Sequence, residues 1–231
     1  MNQAIIDYIK PLTERFQEYA NTEKAKQMSK YMRHLSIFYG IQATILKPLI
    51  RAFLKDYGLP APEIFNDVIK ELWGLDQREN QYAALFIMEK AMKKAEKERI
   101  GLYEWTILEK SWWDTIDFIS PKLVGWHMKQ YPDLILPITR KWIDSGNIWL
   151  QRSSLLFQFK YKKETDTELM AKYVHELKGS KDFFIRKAIG WLLREYSKTN
   201  PEWVESFIKD NQDLSGLSKR EGMKAINRKR L

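Results

Sequence analysis

Apolar residues recur at three- and four-residue spacing along almost all of the 231-residue chain. This spacing places them on one face of an α-helix, so it predicts a succession of amphipathic helices. Alternating apolar and polar positions, which would indicate strands, form no convincing run. The sequence therefore predicts an all-α protein with short connections.

Polar, proline and glycine residues mark the ends of the predicted helices. Thr22 is predicted to cap the second helix, and residues 34–42, which include Gly40, are predicted to form a turn. The glycine and prolines of residues 58–62 end the third helix. The predicted helices cover residues 5–19, 22–32, 44–57, 62–73, 77–94, 103–109, 113–130, 133–145, 147–159, 166–177, 182–198, 200–210 and 217–227.

Three of these helices carry small residues at their centres, at Ala84, Ser154 and Ala188. The first two are 70 residues apart and the last two are 34 apart, and the segment 113–118 falls near the middle of the longer interval. Helical pairs that recur at this spacing are typical of α-solenoids such as HEAT or armadillo repeats. We therefore expect one domain over residues 1–231, an α-solenoid of HEAT-like helical repeats that curves around a basic concave face. Its basic C-terminal tail is predicted at about residues 224–231.

The composition narrows the possible functions. The net charge of +9 favours a polyanionic partner, with nucleic acid ahead of a membrane surface. The absence of cysteine excludes disulfides, thiolate metal sites and a thiol nucleophile. The three histidines, His34, His127 and His175, are scattered, so we expect no metal site. We find neither a secretory signal at the N-terminus nor an apolar run that could span a membrane, and we expect an intracellular protein.

Aromatic and charged side chains fall at equivalent positions of successive predicted helices. Trp113 and Asp117 are four residues apart and therefore share one face of their helix. Because a solenoid places its inner helices side by side, residues at equivalent positions converge on one surface. The residues expected to converge in this way are Trp113, Asp117, Arg152, Arg186, Lys187 and Trp191.

Each of these residues also has a structural interpretation. Arg152 either pairs with an acid of a neighbouring helix or binds a phosphate through its bidentate guanidinium. Trp191 is either a core residue or an aromatic contact among the nearby cations. Asp117 either stabilises the dipole of its own helix or takes part in chemistry, and Asp114, nearer the helix start, is the better candidate for the dipole role.

The surroundings of Asp117 restrict the chemistry that it could perform. The sequence offers it no histidine, serine or cysteine partner of a catalytic triad. It also offers no second acidic motif of the kind that two-metal phosphodiester chemistry requires. A single carboxylate among aromatic residues and cations suits a reaction that develops positive charge, such as glycosidic bond cleavage through an oxocarbenium-like sugar.

The motifs resemble those of the AlkD-type DNA alkylation repair family, DNA glycosylases built from HEAT-like repeats. The similarity runs over almost the whole chain, in the same order and spacing. One departure follows Gln42, where the family continues with a Thr-Pro-Glu-Arg-like helix start and this chain has Ala43-Thr44-Ile45-Leu46. The segments that carry the resemblance are Lys30-Tyr31-Met32-Arg33, Phe38-Tyr39-Gly40-Ile41-Gln42, Trp112-Trp113-Asp114-Thr115-Ile116-Asp117, Gln151-Arg152, residues 183–191, residues 194–197 and residues 214–221.

The resemblance implies roles for individual residues. Trp113 and Trp191 would flank the deoxyribose of the lesion, Asp117 would be the catalytic carboxylate, and Arg152 would grip a nearby phosphate. Together these four form the expected catalytic set. The residues expected to contact DNA are Tyr31, Gln42, Arg186, Lys187, Arg194 and Lys160.

The resemblance also implies an activity. We expect a monofunctional DNA glycosylase of base excision repair, which removes positively charged N3- or N7-alkylated purines such as 3-methyladenine and 7-methylguanine. It would act on duplex DNA as a monomer, without a base-flipping pocket, a cofactor or a metal, in the cytoplasm at the nucleoid. Two alternatives stay open: a non-catalytic HEAT-like protein that recognises distorted duplex, and a scaffold for protein interactions.

Overall fold

The computed structural model describes residues 3–229. Within that range the secondary structure is helical, and the only β-type pairing is an isolated bridge between Ile37 and Gln77. The prediction of an all-α fold is confirmed, and the architecture is consistent with helical repeats. The chain divides into two compact units, Met1–Ala95 and Glu96–Leu231.

The first unit is built from five α-helices around a core that includes Leu12, Phe16, Phe53 and Trp73. A 3-10 turn over Met92–Lys94 follows the last of them. The helices are α1 (Gln3–Glu18), α2 (Thr22–Tyr31), α3 (Ala43–Tyr57), α4 (Pro62–Gly74) and α5 (Arg78–Ala91).

The turn between α2 and α3 lies where it was predicted, but the predicted cap of α2 was wrong by one residue. The side chain of Asn21 accepts a hydrogen bond from the Lys24 amide, and Thr22 is the first residue of the helix. Asparagine ranks above threonine as an N-cap, which explains the choice. Gly40 adopts a φ of +91°, and a Cβ there would stand 2.1 Å from the Asn21 carbonyl oxygen, so the turn requires glycine.

The second unit contains the remaining helices. Its core includes Trp142, Tyr103, Tyr173 and Phe157, all almost fully buried. Short 3-10 turns cover Pro132–Leu134 and Lys162–Glu164. The α-helices are α6 (Arg99–Leu108), α7 (Trp113–Phe118), α8 (Gly125–Gln130), α9 (Ile135–Asp144), α10 (Ile148–Leu156), α11 (Thr167–Leu177), α12 (Phe183–Tyr196), α13 (Pro201–Asp210) and α14 (Gly216–Lys229).

The connection between α7 and α8 is a π-helix over Ile119–Val124 that includes Pro121. The apolar spacing predicts one α-helix over residues 113–130, which is correct in extent but does not reveal the π segment. Two contacts hold this segment and the first residue of α8 against α10 and the residues after it. Ser120 Oγ lies 2.8 Å from Ser153 Oγ, and the Tyr161 hydroxyl donates a 2.7 Å hydrogen bond to the Gly125 carbonyl.

The basic tail is helical as far as the structure describes it. Residues 224–229 form the last turns of α14, which packs extensively against α12. Arg230 and Leu231 of the predicted tail lie outside the described residues, as do Met1 and Asn2 of the N-terminus.

Candidate active site

Asp117 lies near the C-terminal end of the short helix α7, one turn after Trp113, the first residue of that helix. Trp112 precedes it in extended conformation as the N-cap residue, and Asp114 occupies the first turn. An acid in the first turn stabilises the helix dipole, which agrees with the structural role expected for Asp114. Asp117 lies too far from the start of α7 to serve this purpose, so its side chain can pair with other groups.

Asp117 and Arg152 form an ion pair between α7 and α10. Arg152 Nε donates a 2.8 Å hydrogen bond to Asp117 Oδ1, and Nη2 lies 2.7 Å from the same oxygen. Arg152 Nη1 donates to the backbone carbonyl of Phe184 at the start of α12. The Arg152 side chain is 2% exposed and that of Asp117 is 15% exposed.

These contacts agree with the first of the two interpretations of Arg152. Pairing with an acid of a neighbouring helix is the contact observed, and the guanidinium is buried. The phosphate contact implied by the resemblance stays a prediction. In this structure Arg152 links three helices, because it joins Asp117 of α7 to Phe184 of α12 from its position on α10.

The second carboxylate oxygen of Asp117 is buried and makes no hydrogen bond to any of the described residues. Burial raises the pKa of Asp117 above its usual range, and the charge of Arg152 opposes that rise. A buried acceptor without a partner is rare because its desolvation is not offset. Oδ2 is therefore an acceptor that the described fold leaves without a partner, on a side chain that is 15% exposed.

Trp191 lies near the Asp117–Arg152 pair. The guanidinium carbon of Arg152 is 5.5 Å from the centroid of the Trp191 ring, and that of Arg194 is 5.8 Å from it. Both distances fall within the range of cation–π interactions. The Trp191 ring is partly exposed and also contacts the ring of Phe159. The structure thus brings Asp117, Arg152 and Trp191 into one cluster, with Trp113 on the helix of Asp117.

An aromatic cluster that the sequence analysis did not identify lies beside Arg152. The rings of Trp112, Trp149 and Phe184 contact one another, with centroid distances from 4.9 to 5.7 Å. Trp112 packs its ring against both of the other rings. The cluster fixes Phe184, whose carbonyl binds Arg152. The neighbouring pair Trp112-Trp113 was visible in the sequence, whereas the convergence of Trp149 and Phe184 depends on helix packing.

The predicted DNA-binding cations differ in their surroundings. Arg186 Nε donates to the Ser180 carbonyl, and Lys187 and Arg194 both pair with Glu221 of α14. Lys160 is exposed and lines a depression of about 530 Å³ with four other lysines. The other residues lining that depression are Lys129, Tyr161, Lys162, Lys163, Glu164, Lys198 and Thr199.

Tyr31 and Gln42 belong to the first unit. Tyr31 ends α2 with 73% of its surface exposed. Gln42 is the N-cap residue of α3 and is also exposed, and its side chain makes no capping hydrogen bond. Their contact with DNA stays a prediction.

The described residues contain no group of three or more histidine, aspartate or glutamate side chains arranged to hold a metal ion. None of the helices within residues 3–229 is both long and apolar enough to cross a membrane.

Comparison with known proteins places this chain in a family. The family model for the DNA alkylation repair enzyme matches residues 12–226. The chain is also similar to the solved structure of a protein described as a predicted DNA alkylation repair enzyme from Enterococcus faecalis. The two share 32% sequence identity with a TM-score of 0.81, over 89% of this chain and 95% of the other. No curated protein sequence gives a significant match. Because the family model covers nearly the whole chain, including Asp117, Arg152 and Trp191, the chain belongs to the DNA alkylation repair enzyme family.

Proposed function

We propose that this protein is a DNA glycosylase that hydrolyses the N-glycosidic bond of N3- or N7-alkylated purines in duplex DNA. The observation that carries the proposal is that only one of the two carboxylate oxygens of Asp117 accepts a hydrogen bond within the described residues. One of its oxygens is held by Arg152, and the other is buried and makes no hydrogen bond within the described residues. An unused, oriented anionic oxygen beside an aromatic ring suits a reaction whose transition state is cationic.

The chemistry of the substrate matches the site. An N3- or N7-alkylated purine carries a positive charge, so cleavage of the bond between C1′ and the base nitrogen leaves a neutral base without a general acid. Both electrons of that bond go to the base, and the sugar becomes an oxocarbenium-like cation. Water then attacks C1′ and loses a proton, which yields an abasic site.

Each residue of the cluster has a role in this proposal. The Asp117 carboxylate stabilises the cationic sugar and orients the attacking water, while Arg152 fixes it through Oδ1. Trp113 and Trp191 present ring faces to the sugar, and each interaction is worth about 0.5–2 kcal/mol. We expect the interaction of Trp191 with the sugar to lie at the lower end of this range, because two guanidinium groups already interact with its π system.

Selectivity in this proposal comes from the lesion itself. Cationic adducts leave readily and pair weakly, so the enzyme does not need to enclose the base in a pocket, in contrast to the usual base-flipping glycosylases. Bulky cationic adducts are then accepted, and neutral lesions such as uracil or 8-oxoguanine are poor substrates. The remaining basic side chains would bind the phosphates of the duplex, with the protein acting as a monomer.

One assay tests the proposal against its alternative. The protein is incubated with a duplex that carries a single 7-methylguanine, treated with alkali, and examined for strand cleavage at that position. Cleavage that exceeds spontaneous depurination, and is absent with an unmodified duplex, supports a glycosylase. Salt-dependent binding of the duplex without cleavage would identify a non-catalytic protein that recognises distorted DNA, the alternative favoured by the cations of α12. If the protein neither cleaves nor binds the duplex, the result would point to a protein-interaction scaffold.

A further inference from the structure

Helix α14 approaches α12 unusually closely at Gly190, the residue before Trp191. A Cβ atom on Gly190 would lie 2.5 Å from the Cβ of Glu221 and 3.0 Å from the Ser218 carbonyl oxygen. Ser218 Oγ in turn donates a 2.8 Å hydrogen bond to the Arg186 carbonyl of α12. Glycine at position 190 therefore allows Glu221 to lie directly against the helix that carries Trp191.

Glu221 bridges two cations of α12. Its Oε1 lies 2.8 Å from Lys187 Nζ, and its Oε2 lies 3.0 Å from Arg194 Nη1. The carboxylate is 13% exposed, and Lys187 chiefly, with Arg194 and Lys224, holds the pKa of Glu221 below its usual range. Lys187 and Arg194 are seven residues apart, so they stand two turns apart on one face with Glu221 between them.

Arg194 connects this bridge to the candidate active site. Its guanidinium lies 5.8 Å from the centroid of the Trp191 ring, which also receives the guanidinium of Arg152. Two arginines therefore contact the same indole, and a different carboxylate holds each one. Asp117 holds Arg152, and Glu221 holds Arg194.

We infer that Glu221 is a positioning residue, which sets the Trp191 ring through Arg194 and at the same time restrains two cations from binding phosphate. The inference rests on the proposed glycosylase function. It has two consequences of opposite sign. Loss of the Glu221 charge should slow base release because Arg194 no longer fixes Trp191. It should also strengthen DNA binding because Lys187 and Arg194 become available to the backbone.

The test uses the full-length variant Glu221→Gln and the matched control Glu176→Gln. Glu176 also belongs to the second unit and pairs with an arginine, Arg140, but on an exposed part of α9 and α11. Base release is measured under single-turnover conditions with enzyme saturating a 7-methylguanine duplex. We expect the rate constant of Glu221→Gln to fall roughly tenfold, an effect typical of a small displacement of a catalytic group. Glu176→Gln should release the base at the wild-type rate.

Binding of the same duplex is measured by fluorescence anisotropy at several salt concentrations. For Glu221→Gln we expect tighter binding and a plot of log K against log salt that is steeper by about two, because each of the two released cations adds about 0.9 to the slope. A merely structural role for Glu221 predicts instead that the rate, the affinity and the melting temperature all fall together. Either that joint loss or an unchanged rate constant overturns the inference.

A direct readout of Trp191 does not depend on activity. The chain contains nine tryptophans, and 5-fluorotryptophan labelling gives each a ¹⁹F resonance. The Trp191→Phe variant identifies the resonance of interest, and Glu221→Gln should shift or broaden that resonance. If the wild type releases no 7-methylguanine, the proposed function fails, whereas an unmoved Trp191 resonance refutes the link from Glu221 to Trp191.

A second variant keeps the test decisive if Glu221→Gln does not fold. Arg194→Lys retains the positive charge and a partner for Glu221 but loses the planar guanidinium that contacts Trp191. It should slow base release while leaving the salt dependence of binding unchanged. Wild-type release by Arg194→Lys would overturn the inference.

Discussion

Two carboxylates, the fully buried Glu79 in the first unit and the largely buried Asp117 in the second, differ in how many hydrogen bonds they accept. Glu79 is fully buried and accepts three backbone hydrogen bonds of 2.9 to 3.0 Å, from Tyr39, Gly40 and Ile41. Asp117 accepts hydrogen bonds from Arg152 through one oxygen only, and its other oxygen makes none within the described residues.

This difference distinguishes a carboxylate with a structural role, Glu79, from one with a proposed catalytic role, Asp117. Glu79 accepts the hydrogen bonds that three amides of the turn before α3 would otherwise donate to water. Both of its oxygens are therefore used in stabilising the fold. One oxygen of Asp117 is buried without a hydrogen bond from the described residues, and the fold does not offset the cost of its desolvation. For a buried acid, the bonds that it does not make are therefore a better guide to function than its burial.

The largest effect is expected from Asp117→Asn, which removes the charge while preserving the shape. Release of 7-methylguanine should fall on the order of 100-fold or more because the cationic transition state loses its anion. DNA affinity should change little. Single-turnover release and anisotropy measurements on the same preparation check this, and excision at nearly the wild-type rate would contradict the role given to Asp117.

Glu79→Gln is the matched change at the saturated carboxylate. It should lower the free energy of unfolding by about 3 kcal/mol, because hydrogen bonds to a buried charge are lost or weakened. The release rate per folded molecule should stay at the wild-type value. Urea denaturation and an active-site-normalised assay separate the two quantities, and a catalytic defect without lost stability would erase the contrast with Asp117.

The pH dependence sharpens the comparison further. Because burial raises the pKa of Asp117, the release rate should fall as the pH drops through a value above that of an ordinary aspartate. By the same shift, the stability contributed by Asp117 is fully present below its unfolded pKa and is lost as the pH rises through its folded pKa. A pH–rate profile corrected for spontaneous depurination should show this acidic limb, and the limb should disappear in Asp117→Asn.

The smallest effect concerns Asn147, which caps α10 as Glu79 caps the turn before α3. Its side chain accepts hydrogen bonds from the amides of Trp149 and Leu150, at the start of the helix that carries Arg152. Asn147→Ala should reduce stability by about 1 kcal/mol, the usual cost of a lost N-cap. Thermal denaturation measures this loss. A release rate well below the wild-type value would show that the cap does more than support its helix.

Apolar spacing was sufficient to predict most helices but not their local chemistry. Helices α11 and α13 begin and end within a residue or so of the predicted ranges, because Asp166 and Asn200 mark their starts with side-chain caps. The start of α6 at Arg99 was missed, since its N-cap Glu98 makes no capping hydrogen bond and lies in a run of charged residues.

The site was predictable in part. The four-residue spacing of Trp113 and Asp117 and the interval to Arg152 follow from the sequence, and the structure pairs Asp117 with Arg152 across 35 residues. The unpaired oxygen of Asp117 could not be predicted, because it depends on which donors the packing brings near. The partnership of Glu221 with Arg194 was also missed, since it depends on the close approach of two helices at Gly190.

Because of the π-helix, the number of residues in the segment 119–124 determines how Asp117 is oriented toward Arg152. A π turn holds more residues than an α-helical turn, and it follows directly after Asp117 and Phe118. Deletion of one residue there would favour α-helical spacing between α7 and α8. It would also rotate α7 by about 100° relative to α8, which turns the Asp117 carboxylate away from Arg152. Relatives that differ in length by one residue at this point should therefore differ in activity even where the acid is retained.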